Sequence, residues 1–76
     1  MIIRSGQEAI LVSIQAVTLH GDPYFDVVVA DPDAADDPSA WIRGRLGPES
    51  VEGDPGPGDR VKLEGFLQTI TAISTT

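Results

Sequence analysis

A chain of 76 residues, with twelve Asp and Glu against five Lys and Arg and a net charge of −7 at pH 7, has room for one domain. That domain is expected to span residues 1–76 and to bury only about 60% of its unfolded surface. The absence of Cys excludes a disulfide framework and a thiolate metal site, and the apolar runs fall far short of the ~20 residues that cross a bilayer.

The opening MIIRSGQ has no basic segment followed by an apolar block, so no signal peptide is expected. The expectation is a soluble cytoplasmic domain without a membrane partner. The first predicted element is AILVSIQAVTL, from Ala9 to Leu19, rich in β-branched residues and free of Gly and Pro. Val12, Ile14 and Ala16 alternate with Ser13 and Gln15, as in a half-buried strand, although a helix is a competing reading. HGDP, from His20 to Pro23, then reverses the chain.

YFDVVVAD, from Tyr24 to Asp31, reads as the second strand of a hairpin. Phe25, Val27 and Val29 share its inner face, and Tyr24 and Asp26 its outer one. PDAADDPS reads as a solvated loop. AWIRGRL, from Ala40 to Leu46, is the predicted third strand: Trp41, Arg43 and Arg45 fall on one face, with Ile42 and Leu46 on the other. The next twelve residues, GPESVEGDPGPG, hold three Pro and four Gly and allow at most one helical turn, from Pro48 to Val51.

The final block, DRVKLEGFLQTITAISTT, alternates Val61, Leu63 and Leu67 with polar residues and Phe66. Two strands are expected, with a tight turn near Gln68; the alternative is one long strand bent at Gly65. The expected core is Ile10, Val12, Ile14, Phe25, Val27, Val29, Ile42, Leu46, Val61, Leu63, Leu67 and Ile70. Phe66 is expected on the polar face, where it would be exposed, cover a second apolar cluster or sit in a subunit contact.

At PGDRVKLEG, from Pro57 to Gly65, the chain resembles the OB-fold family: a Pro-Gly-Asp turn, an alternating apolar strand and then Gly are similar to the fourth strand of many such domains. The order of the other strands fits, from about Glu8 to Ile73. The resemblance implies an all-β, five-stranded Greek-key barrel, here with the usual inter-strand helix reduced or absent. An SH3-like barrel is the alternative, since a Pro-Gly-Asp turn occurs there too.

By position, the resemblance also implies a nucleic-acid-binding face made of Tyr24 and Asp26 on the second strand and Trp41, Arg43 and Arg45 on the third. Bases stack on aromatic rings and Arg neutralises phosphates, and alternate residues on a strand lie ~6.6 Å apart, close to a nucleotide repeat. Tyr24, Trp41, Arg43 and Arg45 are therefore the candidate site for single-stranded DNA or RNA. Three bland readings compete. Trp41 could close a barrel end, the two Arg could pair with Asp26 or Asp31, and the whole stripe could be a protein-binding patch, since Trp, Tyr and Arg are enriched there too. An open strand edge also leaves room for a homodimer.

Other chemistry is not expected. DPDAADD lacks the ordered spacing of a Ca²⁺ loop, His20 has no second ligand for zinc, and GDPGPGD lacks the Lys-Ser/Thr of a phosphate loop. No nucleophile sits in a recognisable motif, so neither catalysis nor a cofactor nor a metal is expected. Eight Asp and a single Lys fit three accounts of the acidity. They are ordinary variation, adaptation to a high-salt interior as in halophiles, and an acidic surface directed at a partner.

Overall fold

A computed structural model describes residues 2–76. Its strands are β1 (Gln7–Leu19), β2 (Asp22–Ala30), β3 (Ile42–Leu46), β4 (Val51–Glu52), β5 (Arg60–Phe66) and β6 (Thr69–Thr75), in the sheet order β3-β2-β1-β5-β6-β4. Among the described residues there are single 3-10 turns and no α-helix, so nothing helical is long and apolar enough to cross a membrane. The architecture is all-β, a mixed sheet curled into a half-barrel. Six strands replace the expected five. The extra one is β4, formed because the turn Pro48–Ser50 brings Val51 beside Ile73.

The β1/β2, β2/β3, β1/β5 and β5/β6 pairs are all antiparallel. Chain direction therefore alternates along the sheet, so that β3 and β6, at opposite ends of that run, point the same way. Any pairing that closes the curl has to be parallel, and β4, which follows β3, does pair in parallel with β6: Val51 faces Ile73 and Glu52 faces Ser74.

The curl depends on β1. Its first residues pair with β5, from Gln7↔Leu63 to Ile10↔Arg60, and from Ile10 onward it pairs with β2. The register slips between Leu11↔Val29 and Ser13↔Val28, which leaves Val12 as the extra residue of a β-bulge. The turn before β5 holds this bend in place. Asp59 O accepts from Leu11 N–H (2.9 Å), and Gly58 N–H donates to Leu11 O (2.7 Å).

The bulge also corrects the predicted core. One extra residue inverts the inward parity, so Ala9 and Leu11 are fully buried where Ile10 and Val12 were expected, while Ile14, beyond the bulge, leans on the core as expected. Val27, Val29, Ile42, Leu46, Val61, Leu63 and Ile70 are buried as predicted, and Phe25 packs against them. Ile73 and Ile3 join this core. Ile3 does so through a bridge to Leu67, its N–H bonded to Leu67 O at 2.6 Å.

Both hairpins turn on residues with positive φ. His20 (52°) and Gly21 (84°) make the β1–β2 turn with φ positive at both central positions, the geometry whose twist matches paired strands. In the β5–β6 turn the position is taken by Leu67 (54°), which is 66% exposed and not the core residue expected, because it belongs to the turn and not to a strand face. The bend at Gly65 is present as well: the register shifts between Glu64↔Ala72 and Gly65↔Ile70, leaving Thr71 unopposed. The expected two strands with a turn near Gln68 are therefore what forms; the alternative of one long strand is not, although Gly65 does mark an irregularity within β5.

Candidate nucleic-acid interface

Beyond the bulge, β1, β2 and β3 present one outer face. The register places Ser13, Val28 and Arg43 in one row across the three strands, and Gln15, Asp26 and Arg45 in the next. These residues line a shallow depression of about 390 Å³. Ile42 and Leu46 are buried on the opposite side of β3, so Arg43 and Arg45 point outward as the alternation predicts.

The two arginines differ in their surroundings. Arg45 forks onto Asp26, with Nε 2.7 Å from Oδ1 and Nη2 3.1 Å from Oδ2. This hydrogen-bonded guanidinium holds the Asp26 carboxyl below the usual carboxylate range, and the same bond raises Arg45. It is the one ion pair among the described residues. Arg43, one row away, is exposed and has no carboxylate partner there.

Trp41 stands just outside β3, which begins at Ile42, and not within it as predicted. It ends the second of two similar turns. In DPDA the Asp31 carboxylate accepts from Asp33 N–H (2.9 Å), and in DPSA the Asp37 carboxylate accepts from both Ser39 N–H (3.1 Å) and Ser39 Oγ (2.7 Å). In each case Asp caps a 3-10 turn whose first residue is Pro. The Asp-rich segment expected as a solvated loop is therefore ordered, although most of its residues stay exposed. The Ser39 hydroxyl, and then its backbone N–H, hold the Asp37 carboxyl below its usual range.

The indole N–H of Trp41 donates to Ala35 O at 2.9 Å, which ties the half-buried ring to the first of these turns. Trp41 and Arg43 together line a second depression, of about 320 Å³, with Ser39 and with Gln68 from the β5–β6 turn. Tyr24 lies at the other end of the face. It is half-buried, faces Val17 across the hairpin and borders a hollow with Gly47, Pro48 and Glu49. The order along the surface is therefore Trp41, Arg43, Arg45 with Asp26, then Tyr24.

Sequence reasoning left Ser13, Gln15, Val28 and Gln68 out of the site. The first three were legible as outward residues of their strands, but only the register shows that they border Arg43 and Arg45. Gln68 reaches the face because the curl carries the β5–β6 turn there, and no local pattern signals that. Among the described residues no three of His, Cys, Asp and Glu converge as metal ligands. Comparison of the chain with protein-family models, with curated proteins and with solved structures gave no significant match.

Proposed function

We propose that this chain is a non-catalytic cytoplasmic module that binds single-stranded DNA or RNA on the outer face of β2 and β3. The line of Trp41, Arg43, Arg45 and Tyr24 along one side of the sheet carries the reading. At ~3.3 Å per residue, the six residue steps from Trp41 to the position opposite Tyr24 span roughly 20 Å, enough for about three nucleotides. Stacking on an aromatic ring contributes about 1–3 kcal/mol per base, and an arginine supplies a phosphate partner.

An OB-like barrel is the finer fold reading we favour. A first strand that pairs on both sides supports it, as does the parallel β4/β6 pair, which an all-antiparallel barrel such as the SH3-like alternative would lack. The Asp-rich, Lys-poor surface suits a high-salt interior, where the net charge of −7 is screened within a few ångström and does not repel a polyanion.

Trp41 is the only tryptophan, so its fluorescence reports on the face directly. Single-stranded oligonucleotides are expected to quench it, and Arg43→Ala to shift the quenching to higher oligonucleotide concentration. No response to DNA or RNA at low or multi-molar salt would overturn the reading. A second reading, a protein-interaction module or homodimer, is favoured by the exposure of Ile2 (65%), Phe66 (61%) and Leu67 (66%).

A further inference from the structure

The candidate face carries two arginines one row apart, but only one has its charge uncompensated. Arg45 is engaged by both oxygens of Asp26, and the pair is neutral as a unit. Arg43 borders both neighbouring depressions, the one towards Ser13 and Gln15 and the one towards Trp41 and Gln68, without a carboxylate partner among the described residues. A ligand phosphate arriving at Arg43 displaces only a counterion. At Arg45 it would have to displace a carboxylate already in bidentate geometry, or sit beside that carboxylate and be repelled by it.

We infer that Asp26 is a built-in competitor that removes Arg45 from phosphate recognition, so the face takes a single strand through one phosphate at Arg43. Affinity then comes mainly from stacking, with Ser13, Gln15 and Gln68 as the neutral hydrogen-bonding groups around that contact. This inference rests on the nucleic-acid reading and specifies the kind of site it is: weakly salt-dependent, and suited to short stacked segments more than to long polyanions. Such a device matches the acidic composition, because a site that relies little on net positive charge keeps working when salt is high.

Counterion release makes the inference measurable. For a single strand, the logarithm of the binding constant falls with the logarithm of salt by about 0.7 per neutralised phosphate. The probe is a fluorescein-labelled oligothymidylate about eight nucleotides long, within the site size of a small barrel, followed by anisotropy over a salt series. The wild-type chain is expected to lose about fivefold in affinity per tenfold rise in salt, which corresponds to one phosphate. Asp26→Asn keeps the side-chain shape and frees Arg45. It is expected to bind more tightly at low salt and to lose about 25-fold over the same range, which corresponds to two phosphates.

The double variant Asp26→Asn, Arg45→Gln is expected to return to the wild-type slope, which separates a freed cation from a general change in fold or charge. Far-UV circular dichroism of each variant checks that the sheet is retained. A wild-type slope already near two phosphates, or an Asp26→Asn slope equal to the wild type, would overturn the inference and leave the nucleic-acid reading standing. Absence of binding by both the wild type and Asp26→Asn would overturn that reading and the inference with it.

Discussion

Gly44 on β3 and Ile70 on β6 touch across a seam that carries no hydrogen-bonded ladder. A Cβ on Gly44 would lie 3.2 Å from Ile70 Cβ and 3.3 Å from its Cδ1. The half-barrel closes here by side chain against backbone, and glycine makes that approach possible. The same residue separates Arg43 from Arg45 in sequence, so the inner contact that closes the curl and the outer face that carries the site share five residues of strand.

Gly44→Ala is expected to destabilise the chain by about 1 kcal/mol, since overpacking of about 1–3 kcal/mol outweighs the gain from a less flexible unfolded chain. Gly44→Val should cost more, and Ile70→Val in the Gly44→Ala background should restore part of the loss by removing Cδ1. Urea denaturation at constant salt measures all three. An unchanged midpoint for Gly44→Ala would show that the seam is loose.

Gly65 has a harder constraint, because a Cβ there would fall on the carbonyl oxygen of Thr69, a backbone atom of the paired strand β6. Gly65→Ala is expected to destabilise by more than about 2 kcal/mol, visible as a large fall in Tm, because relief requires rearranging the bulge.

Leu67 should behave in the opposite way. It holds φ at 54°, a region that costs a side-chain-bearing residue about 1–2 kcal/mol, and its side chain is exposed. Leu67→Gly is therefore expected to raise stability by a few tenths to about 1 kcal/mol, after the extra entropy of glycine is subtracted. A loss on this substitution would mean that the Leu67 side chain makes a stabilising contact that outweighs the strain.

What was legible in the sequence followed the regular stretches. Phe25, Val27 and Val29 alternate without interruption, and their inward face was read correctly. So was that of Ile42 and Leu46, which fixed Arg43 and Arg45 outside. The β1–β2 turn was legible because His20-Gly21-Asp22-Pro23 concentrates turn-forming residues. The misassignments sit where the backbone departs from period two. Val12 is a β-branched residue with nothing to mark it as a bulge, so the inward set was displaced by one residue, from Ala9 and Leu11 to Ile10 and Val12. Leu67 sits at a positive φ against its own preference, and a pattern of apolar residues assigns it inside. The Arg45–Asp26 pair was one of several pairings the composition allowed, and register alone selected it.

Acid should weaken two contacts. The Asp26 and Asp37 carboxyls lie below their ordinary value of 3.8 in the folded chain, held down chiefly by the hydrogen bonds of Arg45 and of the Ser39 hydroxyl respectively. A depressed folded value means that the contribution is present above pH ~4 and is lost as pH falls through the lower, folded values. Lowering pH also relieves repulsion within a chain of net charge −7, which acts with the opposite sign. The test is therefore a difference. Asp26→Asn and Asp37→Asn should each lower stability at pH 7, and the gap from wild type should close as pH falls below about 4.

Trp41→Phe keeps most of the ring and removes the bond to Ala35 O, so it is expected to cost about 1 kcal/mol in stability. Under the nucleic-acid reading it should also retain most of the affinity, because stacking needs the ring face and not the indole N–H. Trp41→Ala should lose both. Equal loss of affinity in the two variants would mean that the tie to the Asp-capped turns, and not stacking, supports the site.

The most direct measurement is a map of backbone amide chemical shifts while a short single-stranded oligonucleotide is added to the isotope-labelled chain. On the nucleic-acid reading the largest changes fall on Val28, Arg43, Gly44 and Arg45 and on the indole N–H of Trp41, with Glu8, Lys62 and Ser74, in one row across β1, β5 and β6, unmoved. Changes centred on Phe66 and Leu67 with β3 silent, or no changes at any salt concentration, would contradict it.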